Sequence, residues 1–213
     1  MRLTRFEKIP AAGLGVQDSM PGKFIVLYGI NNLGKSTQAK LLVEKLNSSG
    51  RKAKYLKYPI YELEPTGPAL NRYLRGGNPE KLSAKNAQIV YAKNREDYEP
   101  TLKKELESGT DIVAEDYWGT GVAWGVGAGV DKEFLLDLNK RFNFEDLPMM
   151  LTGKRFESGV EKNHLHESDI EFTNKVEKVH RELAREFRWK KISANQDIDK
   201  VAAGIWSEVK KII

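Results

Sequence analysis

The chain has 213 residues, 40% hydrophobic and 31% charged, a balance that excludes both a disordered and a membrane-embedded protein. Its 35 basic and 30 acidic residues are interleaved, so the net charge of +5 suits a protein handling polyanionic nucleotides without demanding nucleic acid. Cysteine is absent, which excludes disulfides and thiolate metal sites and fits a reducing, cytoplasmic setting.

Residues 1–20 carry Arg2, Arg5, Glu7 and Lys8 around a short Ala/Gly/Pro stretch and read as a flexible extension without a secretory apolar core. One compact domain is expected over residues 21–213. The apolar run Phe24-Ile-Val-Leu-Tyr28 predicts a strand, and no apolar run approaches the length of a membrane span. Immediately after it comes Gly29-Ile-Asn-Asn-Leu-Gly34-Lys35-Ser36-Thr37, a G-x-x-x-x-G-K-[ST] phosphate loop between a strand and a helical pattern. Gly29 and Gly34 let the backbone curl so that successive N–H groups, those of Asn31, Asn32 and Leu33 among them, face a nucleotide phosphate. Lys35 adds a mobile charge for the β/γ-phosphates, and Ser36, followed by Thr37, offers a hydroxyl to Mg²⁺. The loop predicts binding of a nucleoside triphosphate.

Ala39, Leu42, Val43 and Leu46 fall at helical spacing, and Ser48-Ser49-Gly50 closes that helix. Lys54 to Tyr58 predicts a second strand, stopped by Pro59. The loop from Glu62 to Pro68 opens a short helix through Tyr73 and Leu74, ended by Gly76-Gly77. A long helical pattern runs from Ser83 to Ser108, with Pro100 as a kink or a break. Asp111 to Glu115 is a strand with an acidic C-terminal end. Gly119 to Gly129 reads as a glycine-rich loop with room for some helix, and Phe134 to Phe142 as a helix. Leu147 to Leu151 predicts a short strand, and the polar stretch 153–168 has the character of a mobile lid. Phe172, Val176, Val179, Leu183 and Phe187 mark an amphipathic helix, 191–193 a last strand, and Ile198 to Val209 a final helix. Alternation of this kind predicts an α/β fold, a three-layer α/β/α sandwich around a parallel sheet of about five strands. Ligands of such sheets gather at the C-terminal strand ends.

Three further groups carry candidate chemistry. Tyr91 and Arg95 lie four residues apart on one helical face, where a ring can stack on a base while a guanidinium grips a phosphate. The alternative is a half-buried tyrosine beside a solvated arginine. Glu115 and Asp116 close a strand, where either acid could hold Mg²⁺-bound water. In the lid, Arg155, Lys154 and Lys162 could each neutralise charge on a transferring phosphoryl group. His164-x-His166 has no third ligand nearby and does not make a metal site.

From residue 22 onward, the chain resembles the thymidylate kinase family of nucleoside monophosphate kinases. The landmarks come in order: the phosphate loop, Lys57-Tyr58-Pro59, Tyr91-x-x-x-Arg95, Glu115-Asp116-Tyr117 where the family has Asp-Arg-Tyr, Thr120 to Trp124, and the tail Ile192 to Ile198. The resemblance implies transfer of the γ-phosphoryl of ATP, with Mg²⁺, to a pyrimidine deoxynucleotide, most readily dTMP. It implies acceptor contacts from Tyr58, Pro59, Tyr91, Arg95, Tyr117 and Trp124, and an adenine-side loop at Asn195 and Gln196. Lys35, Arg95, Glu115 and Arg155 would serve the transfer itself, and homodimers would follow from the resemblance alone. Three departures stand out: Asn31 replaces the usual aspartate, Asp116 the usual arginine, and Ile60-Tyr61 a segment that often holds a second arginine. Asp116 is expected to pair with Arg95 or Lys57. Those missing charges keep a deoxynucleoside kinase open as an alternative. A GTPase switch matches only D-x-x-G at Asp116 to Gly119 and lacks N-K-x-D, and a non-catalytic nucleotide-binding module is the remaining rival.

Overall fold

A strand that is apolar at every position must be covered on both faces, and Phe24–Tyr28 (β1) is buried throughout at the centre of the sheet. The computed structural model describes residues 21–142, 145–156 and 169–213. The other strands are Ala53–Lys57 (β2), Asp111–Glu115 (β3), Leu147–Thr152 (β4) and Lys190–Ser193 (β5). They pair in the order β2-β3-β1-β4-β5, all parallel. Among the described residues seven helices connect and cover them: Lys35–Ser48 (α1), Thr66–Arg75 (α2), Ala84–Glu107 (α3), Trp118–Gly127 (α4), Lys132–Asn139 (α5), Ile170–Glu186 (α6) and Ile198–Val209 (α7). β1 lies between β3 and β4, so the chain leaves it in one direction for β2 and β3 and returns on the other side. The crevice at that reversal is where parallel sheets bind ligands.

The predicted five-stranded α/β sandwich is therefore the observed one. Two elements differ in more than their bounds. α3 runs unbroken from Ala84 to Glu107 with Pro100 inside it. Proline removes one helical hydrogen bond, but Arg95 and Leu102 are buried on either side and packing holds the helix together. Residues 118–127 are a helix, although glycine is a poor helix former. The glycines of α4 serve close packing: a Cβ at Gly119 would overlap the Trp189 ring, and at Gly125 or Gly127 it would lie 2.7 Å from Leu135 or Val176. β2 ends at Lys57, one residue before Tyr58, and α5 ends at Asn139 instead of Phe142.

At the strands' N-terminal ends, buried Asp111 is held by Arg51, with Nε to Oδ2 at 2.5 Å and Nη2 to Oδ1 at 2.7 Å. The backbone N–H of Lys23 donates to the same carboxylate at 2.8 Å. That fork satisfies the acid and leaves the opposite strand ends for chemistry.

Candidate active site

β1 ends at Tyr28 and the chain turns at once into the phosphate loop. Gly29 has φ 136° and a Cβ there would lie 2.7 Å from the Leu151 carbonyl oxygen, so both conformation and space require glycine. Gly34 (φ 79°) is the N-cap of α1 and aims the helix's free N–H groups back into the loop. Lys35 is buried; its Nζ donates to the carbonyls of Gly29 (2.9 Å) and Ile30 (3.0 Å). It also lies 3.7 Å from Asp116 Oδ1. A lysine held this way is stored at the mouth of its own anion site.

β3 delivers the acids from the neighbouring strand. Glu115 Oε2 accepts from Ser36 Oγ at 2.6 Å and from Tyr55 OH at 2.7 Å, and Lys57 Nζ sits 3.3 Å from Oε1. Burial alone would push the Glu115 carboxyl up. The charges of Lys35 and Lys57 and the hydrogen bonds from Ser36 and Tyr55 outweigh it and hold the group below the usual carboxylate range. Asp116 adopts a left-handed conformation (φ 64°) and accepts from Thr120 Oγ1 at 2.8 Å. Burial raises its pKa above the ordinary aspartate value, with Lys35 opposing and Glu115 adding to the shift. The expected partners of Asp116 were Arg95 or Lys57. Both are committed elsewhere, and Lys35 and Thr120 take their place. Of the two acids, Glu115 is the one that meets the phosphate-loop hydroxyl.

α3 supplies the opposite wall. Ala84, Gln88, Tyr91 and Arg95 recur at helical spacing and all line one cavity of about 930 Å³. That cavity also reaches the phosphate loop from Asn31 to Thr37 and the acids Glu115 and Asp116. Arg95 is not solvated: it is 3% exposed, donates from Nη2 to Asn139 Oδ1 at 2.8 Å and faces the Phe142 ring at 5.6 Å. Tyr91 packs against the buried cluster of Tyr73, Leu74 and Ala87. The alternative of a solvated arginine is thereby excluded. Tyr58 and Tyr117 are core residues that also line the cavity, with ring centroids 5.1 Å apart. The loop after β2 is fixed by Asn94, which accepts from Ile60 N (2.7 Å) and donates to Ile60 O (2.9 Å) and Thr66 Oγ1 (2.9 Å). Pro59 and Trp124 complete this side.

Elsewhere the predicted residues separate. Gln196 lines the cavity beside Ile198 and Val201, but Asn195 does not. Its amide holds the backbone of Lys154 instead, accepting from N at 2.5 Å and donating to O at 2.8 Å. Phe156 N donates to Asn32 O at 2.8 Å, laying the start of the predicted lid on the phosphate loop. Between these two anchors Arg155 turns away from the cavity, its Nη1 reaching Thr173 Oγ1 on α6 at 3.4 Å. Arg155 is thus not among the residues brought together. The rest of the lid, including Lys162, His164 and His166, lies outside the described residues, as does the 1–20 extension. Among the described residues no three acids or histidines converge as a metal cluster.

Gln88, Tyr55 and Phe156 join the site without having been singled out in the sequence, and Thr120, the start of the Thr120 to Trp124 landmark, joins it without having been given a role. Of the first three only Gln88 carried a signal, three residues before Tyr91 on the same helical face.

A family model described as thymidylate kinase matches residues 27–205. The chain is 30% identical over 205 residues to a thymidylate kinase of Plasmodium falciparum, covering 92% of this chain and 93% of that protein. It is 29% identical over 202 residues to a thymidylate kinase of Dictyostelium discoideum, covering 90% and 88%. Among solved structures, a thymidylate kinase from Candida albicans shares the fold with a TM-score of 0.78, at 24% identity over 90% of this chain and 92% of the other.

Proposed function

The chain belongs to the thymidylate kinase family, and on that premise we propose that it transfers the γ-phosphoryl group of ATP to dTMP, giving dTDP. The observation that carries the reading is the single cavity that joins the phosphate loop to the Gln88/Tyr91/Arg95 wall, with Glu115 between them. Donor and acceptor then meet in one cavity, where in-line positioning supplies most of the catalysis. The loop amides and the N-terminus of α1 receive the donor phosphates, and Lys35 exchanges its carbonyl contacts for phosphate oxygens. The donor base has room beside Gln196, Ile198 and Val201. Tyr91 offers its ring to the acceptor base, and Arg95 a fixed cation deeper in the cavity.

Ser36 Oγ and the Glu115 carboxylate lie 2.6 Å apart, a hard-oxygen pair that suits Mg²⁺ completed by phosphate and water ligands. When bound, the ion neutralises charge on the donor phosphates. Glu115, held ionised by Lys35 and Lys57, keeps the carboxylate available for that task. No helix of the described residues is long and apolar enough to cross a membrane. The deciding experiment is an ATP-consumption assay against a panel of nucleosides and nucleoside monophosphates with Mg²⁺. dTMP should be the preferred acceptor, and faster turnover of thymidine than of dTMP at equal concentration would refute the reading.

A further inference from the structure

The Glu115 carboxylate meets three donor side chains, and one of them reaches it from the edge of the sheet. Its Oε2 accepts from Ser36 Oγ at 2.6 Å and from Tyr55 OH at 2.7 Å, while Lys57 Nζ lies 3.3 Å from Oε1. Tyr55 belongs to β2, the edge strand beside β3. In the parallel register Tyr55 pairs with Val113 and Lys57 with Glu115, so Tyr55, Lys57 and Glu115 share one face. Glu115 lies two residues beyond the level of Tyr55, a step of about 6.6 Å along a parallel strand. A tyrosine spans that step and ends in a hydroxyl; serine and threonine are too short, and phenylalanine ends without a donor.

A glutamate carboxylate hangs on several torsions that must be fixed before it can serve a metal site. Its neighbours differ in how firmly they fix it. Lys57 is a charge on a flexible stem, its side chain 45% exposed. Ser36 has one proton to donate, and its hydroxyl is itself assigned to the ion. Tyr55 is tethered: its ring packs against the core cluster, and Lys40 Nζ lies 5.8 Å from the ring centroid. Lys40 follows Ser36 by four residues, so the α1 face that carries Ser36 also meets the ring. The phenol is therefore a fixed donor that anchors Oε2 beside Ser36 while Lys57 engages Oε1.

We propose that Tyr55 is a positioning residue for the divalent cation: its hydroxyl clamps the Glu115 carboxylate against Ser36, so that both oxygens stand ready for Mg²⁺ and its waters before ATP arrives. The inference rests on the assignment of Mg²⁺ to Ser36 and Glu115. A donor that orients a metal-side carboxylate contributes to metal affinity without touching the ion.

The test uses Mn²⁺ in place of Mg²⁺, because the electron paramagnetic resonance signal of free Mn²⁺ reports bound ion without turnover. Mn²⁺ is titrated into ATP with the full chain in excess, for the wild type, Tyr55→Phe, Glu115→Ala and the double variant. Tyr55→Phe keeps the ring and loses the donor, and should raise the Mn²⁺ dissociation constant about tenfold. ATP affinity in excess EDTA should not change, since the phosphate loop is untouched; an equal loss there would mark a general lesion and overturn the assignment. In the Glu115→Ala background the same change should have no effect, because the group it orients is gone. A rise of less than about threefold for Tyr55→Phe, or an equal rise with and without Glu115, would overturn the role of Tyr55 and leave the kinase reading intact. A wild-type complex that binds Mn²⁺ no more tightly than free ATP does would overturn the metal assignment, and this inference with it.

Discussion

His180 makes the stability of the fold depend on pH, and its effect can be worked from the structure. It lies on α6, fully buried, with Nδ1 3.1 Å from the Val176 carbonyl and Nε2 without a partner among the described residues. Burial, helped by the charge of Lys35, pushes its pKa down to about 3. An unfolded histidine titrates near ~6.5. The fold therefore binds the proton less readily than the unfolded chain, and stability is lost as the pH falls from about 6.5 toward 3. At pH 5 the cost is ~2 kcal/mol, while at pH 7.5 it is close to nil. Asp116 and Glu145 are half-buried acids that desolvation raises above their ordinary values, and they act with the opposite sign by relieving a charge penalty as pH falls. Urea unfolding of the wild type and His180→Leu at pH 7.5 and pH 5 cancels those common terms. The wild type should lose ~2 kcal/mol more than the variant between the two conditions. Losses equal to within about 0.5 kcal/mol would refute the linkage.

Lys35→Met should cost ~3–5 kcal/mol in transition-state stabilisation with the fold intact, read as kcat/KM beside an unchanged thermal melt. Retention of more than a tenth of wild-type turnover would contradict the phosphate-loop mechanism. Glu115→Gln should lower turnover and raise the Mg²⁺ concentration needed for half-activity, because the amide keeps the Ser36 contact but loses the charge. If Asp116→Asn gives that phenotype and Glu115→Gln does not, the metal role belongs to Asp116. Gly119→Ala should destabilise by ~1–3 kcal/mol in urea unfolding, since its Cβ would overlap the Trp189 ring that stacks on Tyr28 at 4.0 Å. An unchanged midpoint would mean that the ring has space to move.

What could be read from the sequence was what the chain writes contiguously or at a helical period. The phosphate loop is contiguous, Glu115 ends an apolar strand, and Tyr91-x-x-x-Arg95 repeats at one turn; all three reach the same cavity. What escaped depends on partners far along the chain. The glycines of α4 look like a loop until Trp189, Leu135 and Val176 are seen to need the space. Asn195 looked like a nucleotide ligand, but Lys154, 41 residues away, takes both ends of its amide. Arg155 was placed at the phosphates by charge alone, and the anchors at Asn195 and Asn32 direct it toward α6.

Asp116 is where local and tertiary reasoning diverge most, and it yields the last prediction. Read along the chain, an acid in place of an arginine threatens the acceptor phosphate. In the structure its carboxylate is turned by a left-handed backbone toward Thr120 and lies 3.7 Å from Lys35 Nζ, on the donor side. At that separation the gross attraction is on the order of 4 kcal/mol for an effective dielectric near ~20, much of it offset by desolvation of both groups. The triphosphate must compete with this pair for Lys35. Asp116→Asn removes the competitor and one negative charge near the donor phosphates, so ATP should bind roughly 3- to 10-fold more tightly, equivalent to ~1 kcal/mol. The dTMP KM should change by less than about tenfold, because Thr120 holds the carboxylate on the donor side. Calorimetric titration of ATP and steady-state kinetics in dTMP separate the two sides. An unchanged ATP affinity together with a dTMP KM lowered more than about tenfold would place the acid against the acceptor phosphate and overturn its assignment to Lys35.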